Sequence, residues 1–192
     1  MTEKSFVDRP EDGDSRFVLD NLGRIEERIA AACAAAGRKR EDVTLLAVTK
    51  TVPPARINAA IGAGVTHIGE NRVQEFLGKR DALRLDGVDV HLIGHLQKNK
   101  VRQVVGKVAL IQSVDSIGLL QEIEKRAAQH DCDVDILLQV NVAGEEQKSG
   151  IAYEDIDAFV AEMPNMPHVF LKGLMFIAPN LENKDDLRPY FK

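Results

Sequence analysis

Lys50 is the residue in this sequence best suited to covalent chemistry. It closes the run Val43-Thr44-Leu45-Leu46-Ala47-Val48-Thr49, and a nearly continuous apolar run reads as a strand buried on both faces. An ammonium at such a strand end is costly unless its pKa falls or the nitrogen is paired. A neutral, desolvated amine is what Schiff-base chemistry with a carbonyl requires. The alternative is a lysine that snorkels to solvent with its charge intact.

Other apolar runs also end in polar residues. Asn71 follows Ile68-Gly69-Glu70, His95 follows Ile93-Gly94, and Ser113-Val114-Asp115 ends the run that begins at Val108. Asn141 precedes a loop that carries Lys148, and Met175 stands at the end of a run from His168. Together they offer an amine, an amide, an imidazole and a hydroxyl. Each also has a plainer reading. Asn71 with Gln74 three residues on forms a capping-box-like pair, and Asp115 or Ser116 caps the helix that follows. His95 bonds its own loop, Met175 fills core, and Lys148 is solvated.

The elements that must position these residues come from the apolar period. Phe17, Val18, Leu22, Ile25, Ile29 and Cys33 recur at helical steps and Gly37 ends the pattern; residues 1–15 read as a frayed leader. Strands are then expected over Val43–Val48, Val65–Ile68, Val88–Ile93, Val108–Ile111, Val134–Val142 and His168–Ile177. Helical stretches separate them: one opened by Pro53-Pro54, then Arg72–Leu83, Leu96–Val105, Ile117–Ala127 and Ile156–Met163, with Asp185–Lys192 beginning another. Strands alternating with helices require a parallel sheet. Two architectures compete, an open doubly wound sheet and a (β/α)8 barrel, and both place ligands at the carboxyl ends of the strands.

Composition narrows the function. Lys and Arg total 25 against 30 Asp and Glu, a net charge of −5 over 192 residues, which argues against a binder of nucleic-acid backbones. The two cysteines provide no disulfide framework, which points to a reducing, cytoplasmic setting. No apolar run approaches a membrane span, and no signal peptide is read at the start. Asp131-Cys132-Asp133-Val134-Asp135 imitates the start of a calcium loop but lacks its later glycine and acid. The sequence has no HExxH, P-loop, GxGxxG or GxSxG, and its histidines and cysteines lack metal-ligand spacing. Lys98, Lys100 and Arg102 sit at the wrong end of a helix for cations and read as a solvated face, with a protein-interaction surface over Lys98–Lys107 as the rival.

The motifs Leu45-Leu46-Ala47-Val48-Thr49-Lys50-Thr51, Ile68-Gly69-Glu70-Asn71-Arg72-Val73-Gln74-Glu75 and His91-Leu92-Ile93-Gly94-His95-Leu96-Gln97-Lys98-Asn99-Lys100 occur in this order. They are followed by Gln112-Ser113-Val114-Asp115, Gln139-Val140-Asn141-Val142, Lys148-Ser149-Gly150 and Leu171-Lys172-Gly173-Leu174-Met175. Together they resemble the pyridoxal phosphate homeostasis proteins, small single-domain relatives of the alanine racemase barrel. The resemblance implies a (β/α)8 barrel of the alanine racemase N-terminal type, with pyridoxal 5′-phosphate held as a Schiff base on Lys50. It implies Asn71, Ser113 and Met175 near the pyridine ring, His95 in the same wall, and Lys148 on a mouth loop as a secondary amine. The family often carries a second lysine two residues past the first; Val52 stands there.

The function this implies is cofactor handling in vitamin B6 and amino-acid balance, without catalytic turnover. The partners implied are pyridoxal phosphate and the apo-enzymes that use it, and the chain is expected to be a monomer. The rival is a pyridoxal phosphate-dependent amino-acid racemase, which needs two bases on opposite faces. Its weakness is that only Tyr153 and Tyr190 are tyrosines, neither at an expected strand end. A cofactor-free Schiff-base aldolase lacks an acid–base pair beside Lys50. One domain is expected over residues 1–192. It is expected to be an incomplete barrel, with the last two strands and the phosphate-holding loops beyond Lys192.

Overall fold

The computed structural model describes residues 12–144 and 149–191. Among the described residues a leading helix is followed by six strands alternating with five α-helices: α1 (Asp12–Ala35), β1 (Ala47–Val48), α2 (Pro54–Gly62), β2 (His67–Glu70), α3 (Val73–Lys79), β3 (Asp89–Leu92), α4 (Val101–Val104), β4 (Leu110–Val114), α5 (Ile117–His130), β5 (Val134–Gln139), α6 (Ile156–Glu162) and β6 (Val169–Met175). The strands form one sheet in chain order, β1-β2-β3-β4-β5-β6, and the pairs β1–β2, β3–β4, β4–β5 and β5–β6 are parallel. This order decides between the two architectures. A doubly wound sheet reverses its strand order at a switch point, whereas a barrel adds each strand beside the last. No reversal occurs here.

The described residues fall into two compact units, one within Met1–Gly69 and Gln74–Asp89, the other within Glu70–Val73 and Val90–Lys192. In the first, α1 packs on α2, and Pro54 starts α2 with its fixed φ at the first helical position. Ile57, Val65, Ile68, Phe76 and Leu83 are buried. Arg40 grips Glu26 of α1 with two parallel hydrogen bonds of 2.8 Å.

Two expectations are corrected in this unit. The first helix begins at Asp12 rather than near Phe17; residues 1–11 of the expected leader lie outside the described residues. The first strand is two residues long, not six, and Val48 is 50% exposed. Double burial fails: Val43, Leu45, Leu46 and Ala47 are half-buried and Val48 faces solvent, so the run is not covered on both faces as an inner parallel strand's would be.

In the second unit Ile111, Val114, Ile136 and Leu138 line the interior with Leu120 and Ile123 of α5. The buried residues Leu119, Leu120, Ile123 and Ala127 form one stripe along α5. Ser116 caps that helix by accepting from the Leu119 N–H at 3.3 Å. At the other end, the Glu124 carboxylate meets both the backbone N–H and the Nδ1 of His168, at 3.0 and 2.7 Å, and ties α5 to the approach to β6.

The helix expected over Leu96–Val105 is instead a 3₁₀ turn, Lys98–Lys100, followed by the four-residue α4. Its valines 101 and 104 are buried while Lys98 and Arg102 are exposed, as a solvated basic face requires. The helical segment expected from Asp185 is a 3₁₀ helix, Lys184–Phe191, containing Pro189.

Candidate functional site

Lys50 follows β1 directly and is exposed. Of the two readings of Lys50, a desolvated amine or a side chain that reaches solvent, the structure shows the second. The turn around Lys50 is defined by its backbone. Thr49 is buried, and its N–H and hydroxyl both donate to the Gly69 carbonyl, at 2.9 and 3.3 Å. The Thr49 carbonyl accepts from the Val52 N–H at 3.1 Å, which makes Thr49-Lys50-Thr51-Val52 a β-turn with Lys50 at its first central position. Thr51, the second, has φ 60°. That value belongs to a type II turn, where glycine or asparagine is the usual occupant, and it is a true outlier for a β-branched residue.

In the second unit, three strand ends are interlocked. The Ile93 N–H donates to the Glu70 carbonyl at 2.9 Å, and Ser113 Oγ donates to the Gly94 carbonyl at 2.7 Å. A Cβ built on Gly94 would lie 2.7 Å from the Asn71 Cα, so only glycine lets the two strand ends come this close. Asn71 is half-buried, Ser113 fully buried, and Glu70 fully buried. His95, the residue after Gly94, is 57% exposed, and its Nδ1 lies 3.3 Å from an Asp115 carboxylate oxygen. Asp115 also lines a cleft of about 420 Å³ with Ser116, Gly150, Ile151 and Phe159.

Of the expected site residues, Asn71, His95 and Ser113 are therefore brought together by neighbouring strand ends. Met175, half-buried, ends β6 in register with Gln139, and its carbonyl accepts from the Val140 N–H at 2.9 Å. Lys148 lies outside the described residues. Tyr153 is 77% exposed, in a 3₁₀ turn before α6. Sequence reasoning missed Gly94 as a positioning residue. It also missed the acceptor role of the Thr49 carbonyl. The signal for the first was present, a glycine just past a strand; the second has none, because a main-chain oxygen carries no side-chain identity.

The fold and these strand ends can be set beside known proteins. Residues 21–192 match the family model of the alanine racemase N-terminal domain. A pyridoxal phosphate homeostasis protein of Aquifex aeolicus is 45% identical over 173 residues, 90% of this chain and 76% of that protein. The chain belongs to the pyridoxal phosphate homeostasis protein family. Two solved structures agree with that placement. A protein from Bifidobacterium adolescentis, 37% identical, covers 96% of this chain and 78% of its own at a TM-score of 0.89. PipY of Synechococcus elongatus PCC7942, solved with PLP bound, is 32% identical and covers 87% of this chain and 76% of its own at a TM-score of 0.74. Membership in this family also agrees with the parallel sheet in chain order, as in an alanine racemase-type fold. Among the described residues no helix is long and apolar enough to cross a membrane.

The residues present fit the cofactor this family is named for. In the first unit Lys50 offers an exposed primary amine that can reach an aldehyde, and in the second unit an amide and an imidazole stand at adjacent strand ends, groups of the kind that suit a hydroxylated aromatic ring.

Proposed function

We propose that this protein binds pyridoxal 5′-phosphate covalently through Lys50 and serves to hold and hand on that cofactor, not to turn over a substrate. The carrying observation is the Lys50 turn: the amine stands exposed at the carboxyl end of β1, on a backbone whose conformation is defined on both sides. The cofactor supplies an aldehyde carbon that condenses with a primary amine with loss of one water. Everything else in the reading concerns what the protein's own groups do. Lys50 offers Nζ. Asn71, His95, Ser113 and Met175 are the residues proposed for the ring. The Ser113 hydroxyl donates to the Gly94 carbonyl, which supports the Asn71 and His95 segments.

The absence of turnover is part of the proposal. A racemase needs a second base opposite the lysine. Tyr153 is exposed on a 3₁₀ turn and Tyr190 belongs to the 3₁₀ helix Lys184–Phe191, neither at a strand end. Cys33 and Cys132 are free thiols, which supports action in a reducing cytoplasm; the proposal further takes the chain as a monomer with pyridoxal phosphate-dependent apo-enzymes as recipients.

The test is titration with pyridoxal phosphate followed by borohydride reduction and peptide mass spectrometry, on the wild-type chain and Lys50→Ala. A reduced adduct on Lys50, lost in the variant, is expected. An adduct distributed over surface lysines and unchanged in Lys50→Ala would refute the reading. Racemisation of an amino acid by the loaded protein would overturn the part that denies turnover.

A further inference from the structure

Lys50 is flanked by two main-chain groups that the same helix takes hold of. On its amino side, the Thr49 carbonyl accepts a hydrogen bond of 2.8 Å from Lys79 Nζ. On its carboxyl side, the Thr51 N–H donates to Glu75 Oε1. Glu75 and Lys79 are one turn apart on α3, and Lys79 Nζ lies 3.1 Å from that same Glu75 oxygen. The result is a closed loop of contacts, Thr49 carbonyl to Lys79 to Glu75 to Thr51 N–H, with Lys50 as the residue enclosed.

We infer that Glu75 and Lys79 are positioning residues for Lys50: their ion pair clamps the main chain on either side of it and holds the turn that presents its amine. The inference rests on the reading that Lys50 carries the cofactor.

Three observations separate this from ordinary surface pairing. First, the Lys79 side chain is only 9% exposed and that of Glu75 26%, so the pair is largely withdrawn from water, unlike the exposed pairs that contribute little. Second, α3 is already anchored by Phe76, 0% exposed, so the fold does not need the ion pair to dock this helix. Third, the clamp acts where the backbone is strained. Thr51 at φ 60° occupies a conformation disfavoured by roughly tenfold in population for an L-residue with a Cβ. Such outliers persist where surrounding contacts over-determine them, and they cluster at functional positions. An anionic acceptor aimed at the Thr51 N–H and a cationic donor aimed at the Thr49 carbonyl supply that determination with charge-assisted bonds. A type II turn with glycine at Thr51 would need no such help, but it would leave the amine on a looser hinge.

The experiment compares the wild-type chain with Glu75→Gln, Lys79→Met and the double variant Lys79→Met/Thr51→Gly. Three quantities are read: affinity for pyridoxal phosphate with borohydride mapping of the modified lysine, hydrogen exchange of the Thr51 amide, and the melting temperature. Each single variant is expected to bind on the order of tenfold more weakly at Lys50, the population factor that the clamp offsets. Thr51 exchange accelerates and melting shifts little. Adding Thr51→Gly to Lys79→Met should recover most of the lost affinity, because glycine takes the left-handed conformation unaided. Rescue of this kind is not expected of a residue whose role is only to stabilise the fold.

The clamp is overturned if the single variants bind at Lys50 as the wild type does, or if the loss follows melting temperature and glycine gives no rescue. Failure of the cofactor reading looks different: the wild type itself takes no adduct on Lys50. The clamp is then judged on Thr51 exchange. Unchanged protection in Glu75→Gln refutes it, and faster exchange sustains it as a device that orders this turn.

Discussion

Gly94 and Asn71 touch main chain to main chain: a Cβ on Gly94 would stand 2.7 Å from the Asn71 Cα. Real side chains do not approach so closely, so Gly94→Ala must push the ends of β2 and β3 apart. Overpacking of this kind costs about 1–3 kcal/mol. The Asn71 and His95 segments move with it. The expected outcome is a lower urea midpoint together with weaker pyridoxal phosphate binding; an unchanged midpoint would show that the contact relaxes freely.

Ser113 separates hydrogen bonding from volume. Its side chain is fully buried and donates to the Gly94 carbonyl at 2.7 Å. Ser113→Ala leaves that carbonyl to find another donor, at a cost of about 1 kcal/mol. Denaturant unfolding measures the loss. Ser113→Cys, which retains a weak donor, should fall between the two.

Asp131 offers the opposite sign. It terminates α5 in the left-handed region, at φ 49° and ψ 51°, and is exposed. Glycine takes this position without a Cβ penalty, so Asp131→Gly should raise stability by about 0.5–1 kcal/mol. A fall in melting temperature would mean that the aspartate side chain makes a contribution its exposure does not suggest.

Phe76 and Glu26 show how burial ranks effects in the first unit. Phe76 is fully buried, and Phe76→Ala should cost about 3–5 kcal/mol through lost transfer energy and the cavity left behind. Glu26 meets Arg40 bidentately, yet the two side chains are 43% and 30% exposed. Glu26→Ala should therefore cost about 1 kcal/mol or less. Equal effects from the two would contradict this ordering.

Much of this was legible before any coordinates. The expected strands over Val88–Ile93, Val134–Val142 and His168–Ile177 contain β3, β5 and β6, while β4 overlaps Val108–Ile111 only at Leu110 and Ile111 and runs on to Val114. Glycine and proline signals bracketed α2, and Ser116 was readable as a cap and is one. The run Val43–Val48 misled. Continuous apolarity signals burial on both faces, but this run is half-buried and Val48 faces solvent. For Lys50 the residue type leaves a desolvated amine and a solvent-reaching one both open, and only the shortness of β1 and the exposure of the strand end decide for the second. The helix expected at Leu96–Val105 contracted to a 3₁₀ turn and α4, since four apolar residues at mixed spacing cannot show where backbone hydrogen bonding begins.

The sequence by itself determined the alternation of strand and helix, the lysine at the end of the first strand, and the amide, imidazole and hydroxyl at later strand ends. Those depend on local period and residue type, which the chain carries directly. Tertiary structure decided the order of strands in the sheet, which settles the choice that periodicity left open and agrees with the barrel the motifs imply, because order is set by which edges meet and not by any one segment. It alone revealed that Gly94 lies on Asn71, and that a lysine and a glutamate of α3, residues 79 and 75, reach back to the peptides beside Lys50. Those contacts join residues about 23 to 30 positions apart, and one partner in each is a backbone atom. Backbone atoms are the same in every residue, so no pattern of side chains could have announced them.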